Sequence, residues 1–121
     1  LTEDRLAGIL LPGVAAVNVA KDGLDERIAA LIAAFPIEDI WLLEAGAARE
    51  CGLKKPVNLI VIVPDGSEAH VVECAAIELI RARPEWNETD LFVFPLSALS
   101  RTPRPLLLKM ALTSGENVYS K

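Results

Sequence analysis

The sequence predicts a single α/β domain, and three observations predict it. The first is a continuous apolar run, Leu59, Ile60, Val61, Ile62 and Val63, closed by Pro64-Asp65-Gly66. Such a run reads as a strand buried on both faces, as in the middle of an α/β sheet. The second is a change to helical period on either side of it. Leu24, Ile28, Leu31, Ile32 and Phe35 share one helical face, and Val71, Val72, Ala75, Ile77, Leu79 and Ile80 form the apolar side of another. The third is the order of elements, α–β–loop–β–α–β–α, in a chain of 121 residues. That length suits one domain with one real core.

Each element has a local reason. Residues 1–12 read as a short helix or irregular lead-in that ends at Pro12-Gly13, and 14–20 as a loosely alternating, β-branched strand. Lys21-Asp22-Gly23 is a turn. Asp22 or Asp25 can cap the helix that starts at Leu24, and Pro36 stops it. Residues 39–43 read as a buried strand, followed by a loop from 44 to 56 rich in Gly, Ala and charge. Val57–Val63 is the clearest strand. Ser67 is a good N-cap for a helix from 68 to about 83, whose Arg81 and Arg83 suit the negative end of its dipole. Residues 89–94 read as a strand ended by Pro95, and Leu96–Ser100 as a short helix. A last helix runs from Pro105 to about Thr113. Ser114-Gly115 stops it, and Val118-Tyr119 adds a short edge pairing.

Composition bounds the function. The chain is 52% hydrophobic, above the usual share for a globular chain. This fits apolar surface covered by a partner or a second copy, and it equally fits a generously packed monomer. Net charge is −5 and no basic stripe is present. Phosphate neutralisation needs clustered Lys and Arg, so a long nucleic acid is not an expected partner. Cys51 and Cys74 show neither CxxC nor metal spacing, and a reduced, cytoplasmic protein is the expectation. No apolar run approaches the ~20 residues of a membrane span. The apolar stretch 6–20 is interrupted by Pro12, Gly13 and Asn18, and Lys and Arg do not precede it in the way usual for a signal segment, an alternative that stays open.

The segment 40–63 carries a further pattern. Trp41-Leu42-Leu43-Glu44-Ala45-Gly46-Ala47-Ala48-Arg49-Glu50 is followed by six residues and then Val57-Asn58-Leu59-Ile60-Val61-Ile62-Val63. This resembles the minimal nucleotidyltransferase domain of the polymerase-β-like superfamily. In that family a strand ends in Gly-Ser, an Arg-Ala-Arg-Gly-like loop follows, and Asp-x-Asp leads a buried strand. Thr89-Asp90-Leu91-Phe92-Val93 resembles the family's later strand with a third acid, and Ser114-Gly115-Glu116-Asn117-Val118-Tyr119 its closing tail. The likeness covers roughly residues 24–121. It implies a small mixed sheet flanked by helices over 23–121, with 1–22 as an N-terminal extension.

In the family three carboxylates hold two magnesium ions, which bridge the nucleotide phosphates and activate the attacking hydroxyl. The Gly-Ser pair lets the backbone approach the triphosphate. Here Glu44 and Ala45 take the Gly-Ser positions, and Pro56 and Asn58 take those of the paired acids. A carboxylate at the phosphate turn repels the substrate, and Ala45 has no hydroxyl. Lys54 and Lys55 stand just before the acid positions. A lysine ~6 Å from a divalent ion repels it by roughly 5 kcal/mol at an effective dielectric of ~20. Asp90 alone remains as a family-type acid.

The resemblance therefore implies a catalytically inactive domain, with no metal site and no cofactor. Such a domain would work as a protein-interaction or regulatory module of the antitoxin-like kind, its partner a second copy or a small helical protein. Two alternatives stand beside it. One is an active nucleotidyltransferase, taking magnesium with its nucleotide, whose displaced acids are Glu44, Asp65 and Asp90. The other is a metal-free nucleotide or phosphate binder using Arg49, Lys54 and Lys55. Each of these residues also has a plainer reading as a solvated surface charge. His70, one turn into a helix with no second His, reads as a surface or half-buried structural residue, and Cys51 as an ordinary free thiol. Trp41 and Trp86 read as packing residues. No Ser–His–Asp set, Walker loop or zinc pattern is present.

Overall fold

The computed structural model describes residues 24–121. The expected lead-in 1–12, the strand 14–20, the turn at 21–23 and Asp22 as a cap lie outside the described residues.

The fold is organised around β2 (Val57–Val63), every residue of which is buried. It is the second strand of a four-stranded mixed sheet ordered β3-β2-β1-β4. Strand β1 (Asp39–Leu42) runs antiparallel to β2, with Ile40 opposite Val61 and Leu42 opposite Leu59. Strand β3 (Thr89–Pro95) runs parallel to β2, with Asn58 opposite Asp90. Strand β4 (Glu116–Ser120) closes the far side antiparallel to β1, with a register irregularity between Ile40 and Trp41. The expected pairing at Val118-Tyr119 thus extends to five residues.

Alternation along β2 sends its side chains into two separate cores. Val57, Leu59, Val61 and Val63 pack with Ile28 and Leu31 of α1 (Leu24–Ala34), Ala76 and Ile80 of α3 (Ala69–Arg81), and Trp86. Ile60 and Ile62 pack on the other face with Ala47 and Ala48 of α2 (Ala45–Glu50), Ala98, and Leu108 and Ala111 of α4 (Leu106–Ser114). A strand with helices over both faces has no polar side to show, which is why β2 reads as an unbroken apolar run. Trp86 is buried and Trp41 packs against the second cluster, as expected of packing residues. Among the described residues no helix is long and apolar enough to cross a membrane.

Three local expectations need correction. The loop 44–56 contains helix α2, closed at its C-terminal end by Gly52 at φ +80°. There Leu53 N–H donates to Ala48 O at 2.9 Å and Gly52 N–H to Arg49 O at 3.0 Å, the paired bonds of a Schellman cap. Helix α3 starts at Ala69 after Glu68. Ser67 instead closes a turn by donating its backbone N–H to Pro64 O, and no side chain caps the helix. The helix ends at Arg81, and Arg83 beyond it lies 4.9 Å over the Trp86 ring. Finally, Val71 is 55% exposed. The buried seam of α3 follows Val72, Ala76 and Ile80, each four residues on, and Val71 falls on the opposite side.

Candidate functional site

Residues singled out by the resemblance in the sequence lie at one end of the sheet. Strand β1 runs into the turn before α2, and Leu43 N–H donates to Asn58 O at 2.9 Å, which sets that turn beside the start of β2. Asp90 lies level with Asn58 on β3. Asn58 and Asp90 are therefore level on neighbouring strands, and Glu44 stands in the turn after β1 to complete a row. Arg49 lies in the last turn of α2, and Lys54, Lys55 and Pro56 form the approach to β2.

Each polar group in this row already has an internal use. Glu44 is the N-cap of α2, and its carboxylate accepts Gly46 N–H at 2.9 Å and Ala47 N–H at 3.3 Å. These are donors of the kind that an anion at a helix start would take. Asn58 is fully buried, and its amide nitrogen donates to the Lys55 carbonyl at 2.7 Å. This bond fixes the amide's orientation, because a carboxylate or an amide oxygen there would face another acceptor. Its Oδ1 has no hydrogen-bond partner among the described residues. Asp90 pairs with Lys55 at 3.8 Å, both side chains being about 40% exposed (39% and 43%).

Asp65 does not join this row. It sits past the other end of β2, where its Oδ1 accepts Ser97 N–H at 2.7 Å. Most of β2 separates it from Asn58, roughly 20 Å at ~3.3 Å per residue. Glu44 and Asp90 share an end of the sheet but are separated by β2. Their backbones stand roughly 10 Å apart at ~4.8 Å per strand, and the Glu44 carboxylate turns back onto its own helix. Paired metal ions sit only ~4 Å apart. Among the described residues no three His, Cys, Asp or Glu side chains gather into a metal set.

No family model, curated protein or solved structure matches the chain.

Two contacts escaped the reading of the sequence. Glu73 lies on the buried side of α3 and accepts Val93 N–H of β3 at 2.8 Å, twenty residues away. Nothing short of the fold announces that bond. His70 lies 4.0 Å from the Cys74 sulfur, Nε2 to Sγ, one helical turn apart on α3. Here the four-residue spacing was visible, and weighing His70 and Cys74 together would have found the pair.

Proposed function

We propose that this chain is a nucleotidyltransferase-like domain that has given up catalysis and acts by binding protein, as an interaction or regulatory module of the antitoxin-like kind. Its partner is a second copy or a small helical protein. The observation that carries the reading lies at the acid positions. Pro56 and Asn58 stand where a carboxylate pair is needed, the Asn58 amide is turned onto the Lys55 carbonyl, and the one remaining acid, Asp90, is paired with Lys55. The capping role of Glu44 supports it, since the backbone donors of the phosphate turn are already filled by the chain's own carboxylate. The mixed sheet, with an antiparallel β1–β2 pair around a short helix and a parallel β2–β3 pair around a longer one, also accords with it.

The separation of Asp65 from Asp90 weighs against the displaced-acid alternative. The Lys55–Asp90 pair weighs against the metal-free phosphate binder, because it occupies one of that site's three cations. The test is a calorimetric titration of ATP and GTP with and without magnesium. The expected result is no magnesium-dependent binding, with a dimer or a co-purifying small helical protein seen by light scattering. Magnesium-dependent binding in the micromolar range would overturn the reading. Binding indifferent to magnesium, and abolished by Lys54→Ala with Lys55→Ala, would replace it with the phosphate-binding alternative.

A further inference from the structure

We propose that His70 and Cys74 form one half of an intermolecular site for a zinc-class divalent ion, completed by the same pair on a second copy of the chain. Both side chains are exposed on the solvent face of α3, and both carry donors that borderline and soft ions prefer, an imidazole nitrogen and a cysteine sulfur. Residues four apart on a helix face each other, so the backbone has already brought the two donors together.

The distance fits. Tetrahedral zinc with Zn–S ~2.3 Å and Zn–N ~2.05 Å sets its sulfur and nitrogen about 3.6 Å apart. The pair stands at 4.0 Å before any ion draws it in. Turning a surface side chain by a small angle closes a gap of this size. Magnesium and calcium, which take oxygen ligands, do not suit this pair.

A structural zinc site takes four protein ligands, and two are present. Among the described residues no third His, Cys, Asp or Glu joins them to make a set within one chain. A two-fold contact between copies supplies the missing two as an identical pair, giving two imidazoles and two thiolates once each thiol has released its proton to water as the ion binds. Val71 marks the same face as a contact surface. It is 55% exposed, next to His70 and three residues from Cys74, so an apolar side chain flanks the donors where a second α3 would lie.

The test is a titration of the reduced full-length chain with cobalt(II), followed by absorption, with sedimentation in the presence of zinc. The expected result is a thiolate-to-cobalt charge-transfer band with intense visible bands of tetrahedral coordination, saturating at one ion per two chains. Zinc is expected to shift the chain from monomer to dimer, or to tighten a dimer that already exists. Cys74→Ser and His70→Gln each abolish both effects, and Cys51→Ser retains them. These positions are exposed on a helix, and circular dichroism confirms folding of each variant. No cobalt band, a band lost with Cys51→Ser and kept with Cys74→Ser, or saturation at one ion per chain without association would overturn the proposal.

Discussion

The two ends of β2 are built differently. At its start, around Asn58, the chain is tight. Asn58 is fully buried, Glu44 is folded back onto two backbone donors, and Gly115 is wedged where α4 meets β1. A methyl group at Gly115 would collide with Ala111 O and lie 3.0 Å from Leu42 O. At the other end Pro64-Asp65-Gly66 turns in open space, and a methyl group at Gly66 would meet nothing within 4 Å. At the first end Glu44 and Asn58 are held on backbone groups and Asp90 on Lys55. Asp65 at the second end makes a single exposed contact.

Substitutions at the two ends sharpen this contrast. Gly115→Ala should have the largest effect, a loss of about 3 kcal/mol in denaturant unfolding, because the obstacle is backbone and cannot swing aside. A loss below ~1 kcal/mol would mean the α4–β1 junction is looser than described. Asn58→Asp should cost about 2–3 kcal/mol at neutral pH. It removes a buried donor and sets a carboxylate against the Lys55 carbonyl. The same variant tests the proposed function, since one acid introduced here is expected to bring no magnesium-dependent nucleotide binding. Glu44→Ala should cost about 1 kcal/mol through loss of the α2 cap, with Glu44→Ser recovering part of it. Gly66→Ala should be the smallest, within ~0.5 kcal/mol or slightly stabilising. If Gly66→Ala proved as damaging as Gly115→Ala, the contrast between the ends would fail.

Legibility in the sequence followed how local each cause is. Strand β2 was readable because both its faces are buried and Pro64 stops it, so its seven residues speak for themselves. Helix α1 was readable from the spacing of Leu24, Ile28 and Leu31. Strand β4 was only half visible. Glu116, Asn117 and Ser120 are polar, and it forms a strand because β1 offers an edge to pair with. Helix α2 was hidden by its six-residue length and by a cap, Glu44, outside the residues that usually announce a helix start. Of the candidate site, the spacing of 44, 58 and 90 was legible, since it depends on strand order. The direction of the Asn58 amide was not, because it depends on where the Lys55 carbonyl comes to rest.

The bond from Glu73 to Val93 has a consequence for how molecules of this chain meet. Among the described strands β3 borders the sheet, and the outward-facing amides of a bordering strand invite a stranger's backbone to continue the ladder. Glu73 answers that invitation from within the molecule. A carboxylate from the crossover helix takes up the amide midway along the strand, and an incoming strand would have to displace a charge to claim it. The helix that connects β2 to β3 thus also takes one backbone donor of β3 out of reach of a further strand.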